Sequence, residues 1–272
     1  MPQRMAKSLG RRLALCALAL WAALLWGCAH GSLEGEGEVT LFQVSTIDAL
    51  MEGAFQGQVS VGRLARQGDL GIGTFHALDG EMVILEGRVY QVRADGKVRL
   101  ADPDLTTPFA NVVRFRPQRV IQLQGEMSLD ELCRALDQAL PSPNLLYAVR
   151  LDGAFAYLKA RSVPAQERPY PKLVEVVKRQ SVFEFRQVQG TVLGFRCPEF
   201  VKGVNVPGWH LHFLDQTRNA GGHVLELRIK DPRVEVVTVN RFVMVLPTGG
   251  EFMHSDLVTD KAADLHTVEK GR

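Results

Sequence analysis

Beyond residue 38, apolar positions recur mostly every second residue, with short interruptions where they recur every third or fourth. The first run, residues 39–44, alternates and predicts a strand. Ser45 follows as an N-cap, and Ile47, Leu50, Met51 and Ala54 share one helical face behind it. Ser60 caps a second short helix that stops at Gly68. Across residues 71–100 the period returns to two, and Glu86-Gly87 and Asp95-Gly96 supply the turns of a meander of hairpins. Ser128 and Glu131 form a capping box at the head of a helix running to Leu140, with Leu129, Leu132 and Leu136 on its buried face. Asp152-Gly153 reads as a turn between strands 145–151 and 154–160. Further strand-like runs follow at 182–188, 191–197, 208–214, 223–230, 233–239 and 242–246. Strands outnumber helices and join through short turns. The expected class is therefore α+β: strand-rich, with mixed or antiparallel sheets in two closely packed subdomains divided near residues 180–190.

The N-terminus follows a different rule. Arg4, Lys7, Arg11 and Arg12 precede an apolar run from Leu13 to Trp26. That run falls short of the roughly 20 apolar residues of a membrane helix. Residues 1–28 read instead as a secretory signal peptide, with residues 29–38 as a polar, glycine-rich tether and 39–272 as the folded unit. The stretch Leu25-Trp26-Gly27-Cys28 resembles a bacterial lipobox, which would place a lipid anchor on Cys28. Plain secretion, with cleavage for instance after Ala29, is the alternative. Either way the protein is expected outside the cytoplasm.

Composition adds exclusions. Hydrophobic residues make up 46% and charged residues 23% of 272, as in an ordinary globular protein with a real core. Net charge is +2 and the basic residues are scattered, so no nucleic-acid partner is expected. Of four cysteines, only Cys133 and Cys197 lie beyond the leader. They could pair in an oxidising compartment or remain two buried thiols.

The chemistry concentrates in Gly208-Trp209-His210-Leu211-His212-Phe213. On a strand, His210 and His212 project from one face and Leu211 and Phe213 from the other. The turn formers of residues 215–222 return the chain as a hairpin and bring His223 beside them. Three imidazoles on adjacent strands can hold one tetrahedral ion and leave a fourth position open, the mark of a catalytic rather than a structural metal. Zinc suits the set, although other divalent metals could bind it. His76, His254 and His266 are isolated and read as non-ligands. Glu81 follows the turn Asp79-Gly80, where an acid is most often simply solvated. Arg161 ends a strand ahead of Pro164 and could be a surface charge.

Several blocks together resemble the bacterial α-acetolactate decarboxylases across residues 39–272. They are Phe42-Gln43-Val44-Ser45-Thr46-Ile47; Gly71-Ile72-Gly73-Thr74 with Leu78-Asp79-Gly80-Glu81; and Lys159-Ala160-Arg161-Ser162-Val163-Pro164 with Arg168-Pro169-Tyr170-Pro171. The last is Pro207-Gly208-Trp209-His210-Leu211-His212-Phe213 followed by Gly221-Gly222-His223-Val224-Leu225. The resemblance implies conversion of 2-acetolactate to acetoin and carbon dioxide with one zinc ion, Zn2+, on His210, His212 and His223. It also implies a pocket arginine at Arg161, a glutamate at Glu81 with a threonine nearby at Thr74, and a second glutamate, matched by register in the tail, at Glu269. A homodimer is implied as well.

Loss of carbon dioxide from such a β-keto acid sends an electron pair into the ketone and gives an enediolate. A Lewis acid on the ketone and hydroxyl oxygens would stabilise it. Arg161 would position the carboxylate, and Glu81 or Glu269 would return a proton to carbon. Two alternatives stand beside this reading. One is another three-histidine zinc enzyme, a hydrolase or hydratase, against which the chain has no His-Glu-x-x-His motif. The other is a non-catalytic metal- or sugar-binding envelope lipoprotein.

Overall fold

Two seven-stranded sheets form the framework of the described residues, in line with the dominance of period-two runs. The structure is a computed structural model that describes residues 37–271. The signal peptide and the lipid anchor at Cys28 fall outside the described residues, as does most of the tether.

The first sheet contains β1 (Thr40–Val44), β3 (Leu70–Thr74), β4 (Glu81–Leu85), β5 (Arg88–Val92), β6 (Val98–Leu100), β8 (Ala110–Val113) and β16 (Arg241–Val245). Its order is β16-β1-β8-β3-β4-β5-β6. It is mixed, because β1 runs parallel to β16 and antiparallel to β8. The Glu86-Gly87 turn joins β4 to β5 with both residues at positive φ, 55° and 76°, as a two-residue hairpin requires.

The second sheet is antiparallel: β9 (Arg119–Gln122), β10 (Glu126–Ser128), β11 (Leu146–Ser162), β12 (Ser181–Cys197), β13 (Gly208–Asp215), β14 (Gly221–Lys230) and β15 (Arg233–Val239). Its order is β10-β14-β13-β12-β11-β15-β9, and β14 also pairs with β11. Strands β11 to β14 thus close into a ring. A two-stranded piece joins β2 (Val59–Ser60) to β7 (Thr106–Thr107).

Helices α1 (Ile47–Met51), α2 (Val61–Ala65), α3 (Leu129–Ala139), α4 (Leu173–Val177) and α5 (Ala262–Lys270) complete the fold. The Ser128–Glu131 capping box on α3 is formed, and Leu132 and Leu136 are buried. Ser60 caps α2 by accepting the Arg63 N–H. The cap of α1, however, is Thr46 rather than Ser45. Its hydroxyl accepts the Ala49 N–H at 3.2 Å, while Ser45 sits at φ 60° at the end of β1.

The Asp152-Gly153 turn does not exist, because β11 runs straight through it. Asp152 lies opposite Thr191 in the ladder, accepts the Thr191 hydroxyl at 2.5 Å and pairs with Arg150 Nε at 2.8 Å. Cross-strand pairing along 17 residues overrides a two-residue turn propensity. Likewise β12 runs unbroken from Ser181 to Cys197, through the 180–190 stretch where a division was expected.

Leu41, Ile72 and Val83 from the first sheet pack with Leu193, Phe195 and Val237 from the second in one core cluster. A second cluster fills the ring under α3, around Phe155, Leu158, Leu211 and Phe213. A third joins α1, α4 and α5. The candidate site lies where these layers meet.

Candidate metal centre and active site

The β13–β14 hairpin forms as its sequence predicts. Asp215 nucleates the turn, its carboxylate accepting the N–H groups of Asn219 at 2.7 Å and Ala220 at 2.8 Å. His223 returns directly opposite His212 in the ladder. Leu211 and Phe213 point away into the ring's core, so His210 and His212 share the opposite face. At Gly222 the backbone takes φ +140°, and a Cβ there would lie 2.4 Å from the Arg161 carbonyl oxygen. Glycine lets β14 reach β11 closely enough to set His223 opposite Arg161.

The three imidazole rings lie 5.0–5.4 Å apart by centroid, and one ligand nitrogen from each falls within 4.8 Å of the others. All three side chains are buried. Burial, reinforced by the neighbouring Arg161 cation, pushes the His210 pKa down to about 3. Burial also holds His212 and His223 well below the usual range, with His210 next in effect on His212 and Arg161 next on His223. They are therefore neutral. His212 Nδ1 lies 2.9 Å from the Met82 carbonyl; a neutral ring donates there and keeps the lone pair on Nε2. That Nε2 and His210 Nδ1 are buried without a hydrogen-bond partner. Neutral, converging imidazoles, two of them with a buried ring nitrogen free of hydrogen bonds, fit a divalent metal.

Two carboxylates flank the histidines. Glu81 opens β4, with its Oε2 3.7 Å from His212 Nε2. Glu269, on α5, places its Oε2 3.8 Å from His223 Nε2, and its carbonyl oxygen lies 3.2 Å from that nitrogen. Burial raises both carboxyls to about 7 against the opposing pull of Arg161. Glu81 is positioned by the preceding turn. Gly80 has φ +88°, where a Cβ would lie 2.2 Å from the Val92 carbonyl oxygen. The Thr74 hydroxyl donates to the Gly80 carbonyl at 2.8 Å, so this threonine acts on the turn that carries Glu81. Arg161 is 4% exposed and its Nε has no hydrogen-bond partner. A buried, under-partnered guanidinium is a ready anion site.

All seven residues singled out by sequence line one cavity of about 40 Å³. His76, by contrast, accepts the Gly57 N–H through Nδ1 at 3.1 Å. His76, His254 and His266 stand outside the metal-suited group found among the described residues. Sequence reasoning missed the Met82 carbonyl and the apolar wall of the cavity, formed by Ile47, Leu50, Leu78, Phe109, Val163, Leu173 and Val268. It also missed α5 itself, although Leu265 and Val268 stand three apart with Gly271 just beyond the last turn.

Cys133 and Cys197 are free thiols. Burial pushes both up to about 12, which leaves almost no thiolate at pH 8. Alkylation of these two positions in the folded protein should run roughly a thousandfold slower than for an exposed thiol. Mass spectrometry of the two peptides before and after denaturation would check this, and rapid labelling of the native protein would contradict it.

Residues 41–259 match the family model described as alpha-acetolactate decarboxylase. The alpha-acetolactate decarboxylase of Methanosarcina mazei is 49% identical over 230 residues, covering 85% of this chain and 80% of the relative. That of Methylococcus capsulatus is 42% identical over 235 residues, 86% of this chain and 90% of the relative. The crystal structure of acetolactate decarboxylase from Bacillus subtilis subspecies spizizenii superposes with a TM-score of 0.82 at 36% identity, covering 85% of this chain and all of that one. A sheet pair that seats three neutral histidines beside two glutamates raised to about 7, matched across most of its length, therefore has its relatives, and the chain belongs to the alpha-acetolactate decarboxylase family of carboxy-lyases.

Proposed function

We propose that the protein decarboxylates 2-acetolactate to acetoin with zinc held by His210, His212 and His223. The observation that carries this reading is the meeting of neutral imidazoles, a buried arginine and two glutamates raised to about 7 around one small cavity. Bound zinc would supply Lewis acidity to draw charge onto the ketone and hydroxyl oxygens as carbon dioxide leaves.

The chain's own groups supply the rest. Arg161, with a guanidinium Nε free of hydrogen-bond partners, takes the substrate carboxylate and fixes the bond to be broken. As that bond breaks, the electron pair passes into the ketone to give an enediolate. Glu81 or Glu269 then delivers a proton to carbon, for which a carboxyl still protonated near neutrality is suited. Each approaches from a different element, so each can address one face and fix the configuration of acetoin. The tight, largely apolar walls exclude water from the intermediate.

The test is an acetoin assay on purified protein with and without chelator. Turnover is expected to disappear on chelation and return with added zinc. Full activity in dialysed, metal-free protein would refute the reading.

We also propose that residues 1–28 direct export and that Cys28 carries a lipid, on the strength of the basic segment, the short apolar run and the lipobox-like end. The homodimer rests on family resemblance.

A further inference from the structure

The catalytic cavity has two unlike halves. Three histidines, two glutamates and Arg161 form one; Ile47, Leu50, Leu78, Phe109, Val163, Leu173 and Val268, all from a single core cluster, form the other. At about 40 Å³ it has room for a few water-sized groups, each needing roughly 10–15 Å³. A ligand whose oxygens face the polar half must therefore press its alkyl groups against the apolar half.

The backing of that apolar wall is uneven. Leu50, Leu78, Phe109 and Leu173 are set among α1, α4 and the first sheet, inside the cluster. Val268 alone of the seven comes from α5, nine residues long, with the Asp260 carboxylate accepting the Ala262 N–H at its start at 2.9 Å. One side of α5 presents Val268 and Glu269 to the catalytic cavity. Leu265, His266, Lys270 and again Glu269 line a second cavity of about 930 Å³, which Val268 does not reach. Val268 is thus an apolar wall position carried by a helix that also borders a second cavity. It also adjoins Glu269, so one helical turn sets both the alkyl fit and a proton donor.

We propose that Val268 determines which substituent the substrate bears on its hydroxyl-carrying carbon, admitting methyl and resisting ethyl, within the class of 2-alkyl-2-hydroxy-3-keto acids. This rests on the decarboxylase reading above.

The experiment compares kcat/KM for acetolactate and its ethyl homologue in the parent, Val268→Ala, Val268→Ile and Leu265→Ala. Leu265 lies on the same helix and in the same cluster but outside the catalytic cavity, so its variant controls for a loosened α5. Val268→Ala should raise the ethyl-to-methyl ratio about tenfold, the lower end of what one methylene is worth in an apolar pocket. Val268→Ile should lower the ratio, and it remains readable if the alanine variant folds poorly. Leu265→Ala should keep the parent ratio. Acetoin formation with a ratio unmoved by both Val268 variants, or moved equally by Leu265→Ala, would overturn the assignment of Val268 alone. A parent that forms no acetoin would remove the decarboxylase reading and this inference together.

Discussion

Replacing His212 with alanine is expected to abolish metal retention and acetoin formation together. His212 is the central member of the triplet: it lies opposite His223 in the ladder, and the Met82 carbonyl orients its ring at 2.9 Å. Loss of an outer hydrogen-bonding partner of a metal ligand costs roughly 10–100-fold in affinity or activity. Loss of the ligand itself should exceed that, taking turnover below detection. The ring is 1% exposed, so its removal also leaves a hole and an unpaired carbonyl, at about 1–3 kcal/mol. Thermal melting of the metal-free parent and variant separates that cost from the metal effect. Elemental analysis and the acetoin assay give the decisive readings. A variant that kept one metal per chain and turned over acetolactate would end the three-histidine proposal.

Glutamine at Glu81 or Glu269 should cost turnover by about 10²–10⁴-fold, the usual range for a positioned proton donor. Glutamine keeps the shape and hydrogen-bonding reach of the protonated acid but has no proton to give. The enediolate would then collect its proton from water, with no preference for a face. The variant lacking the true donor should lose turnover and yield racemic acetoin. The other should lose rate while keeping one enantiomer. Chiral chromatography of the product distinguishes the two, and unchanged rate and configuration in both variants would remove the glutamates from the chemistry.

The part of the site that was readable from local pattern is the part built by local rules. Alternation put His210 and His212 on one face, and the turn formers around Asp215 returned His223 to them. Glu81 and Arg161 carry no such signal. Arg161 faces His223 through a ladder contact between residues far apart in sequence. Glu81 approaches His212 across two different sheets. Both were legible only through the family blocks around them, as was Glu269.

The fold divides along similar lines. The Ser128 capping box and the Glu86-Gly87 hairpin depend on neighbours and formed as expected. Asp152-Gly153 was misread because its partners, Thr191 and β12, lie elsewhere in the chain. A turn propensity of two residues is weak against a ladder that runs on either side of it. Helix α5 was missed because only Leu265 and Val268 mark its buried face.

The parallel pairing of β1 with β16 and the placement of Glu269 on α5 have a consequence during synthesis. The first described strand must wait for the last described one, and the cavity for Glu269 on α5. At roughly 5–20 residues per second, the ribosome takes on the order of ten seconds or more to cover that span. Through that interval β1 lacks its β16 neighbour, and the nascent chain has histidines but no closed site. The cavity gains its Val268 and Glu269 walls only once α5 has been made.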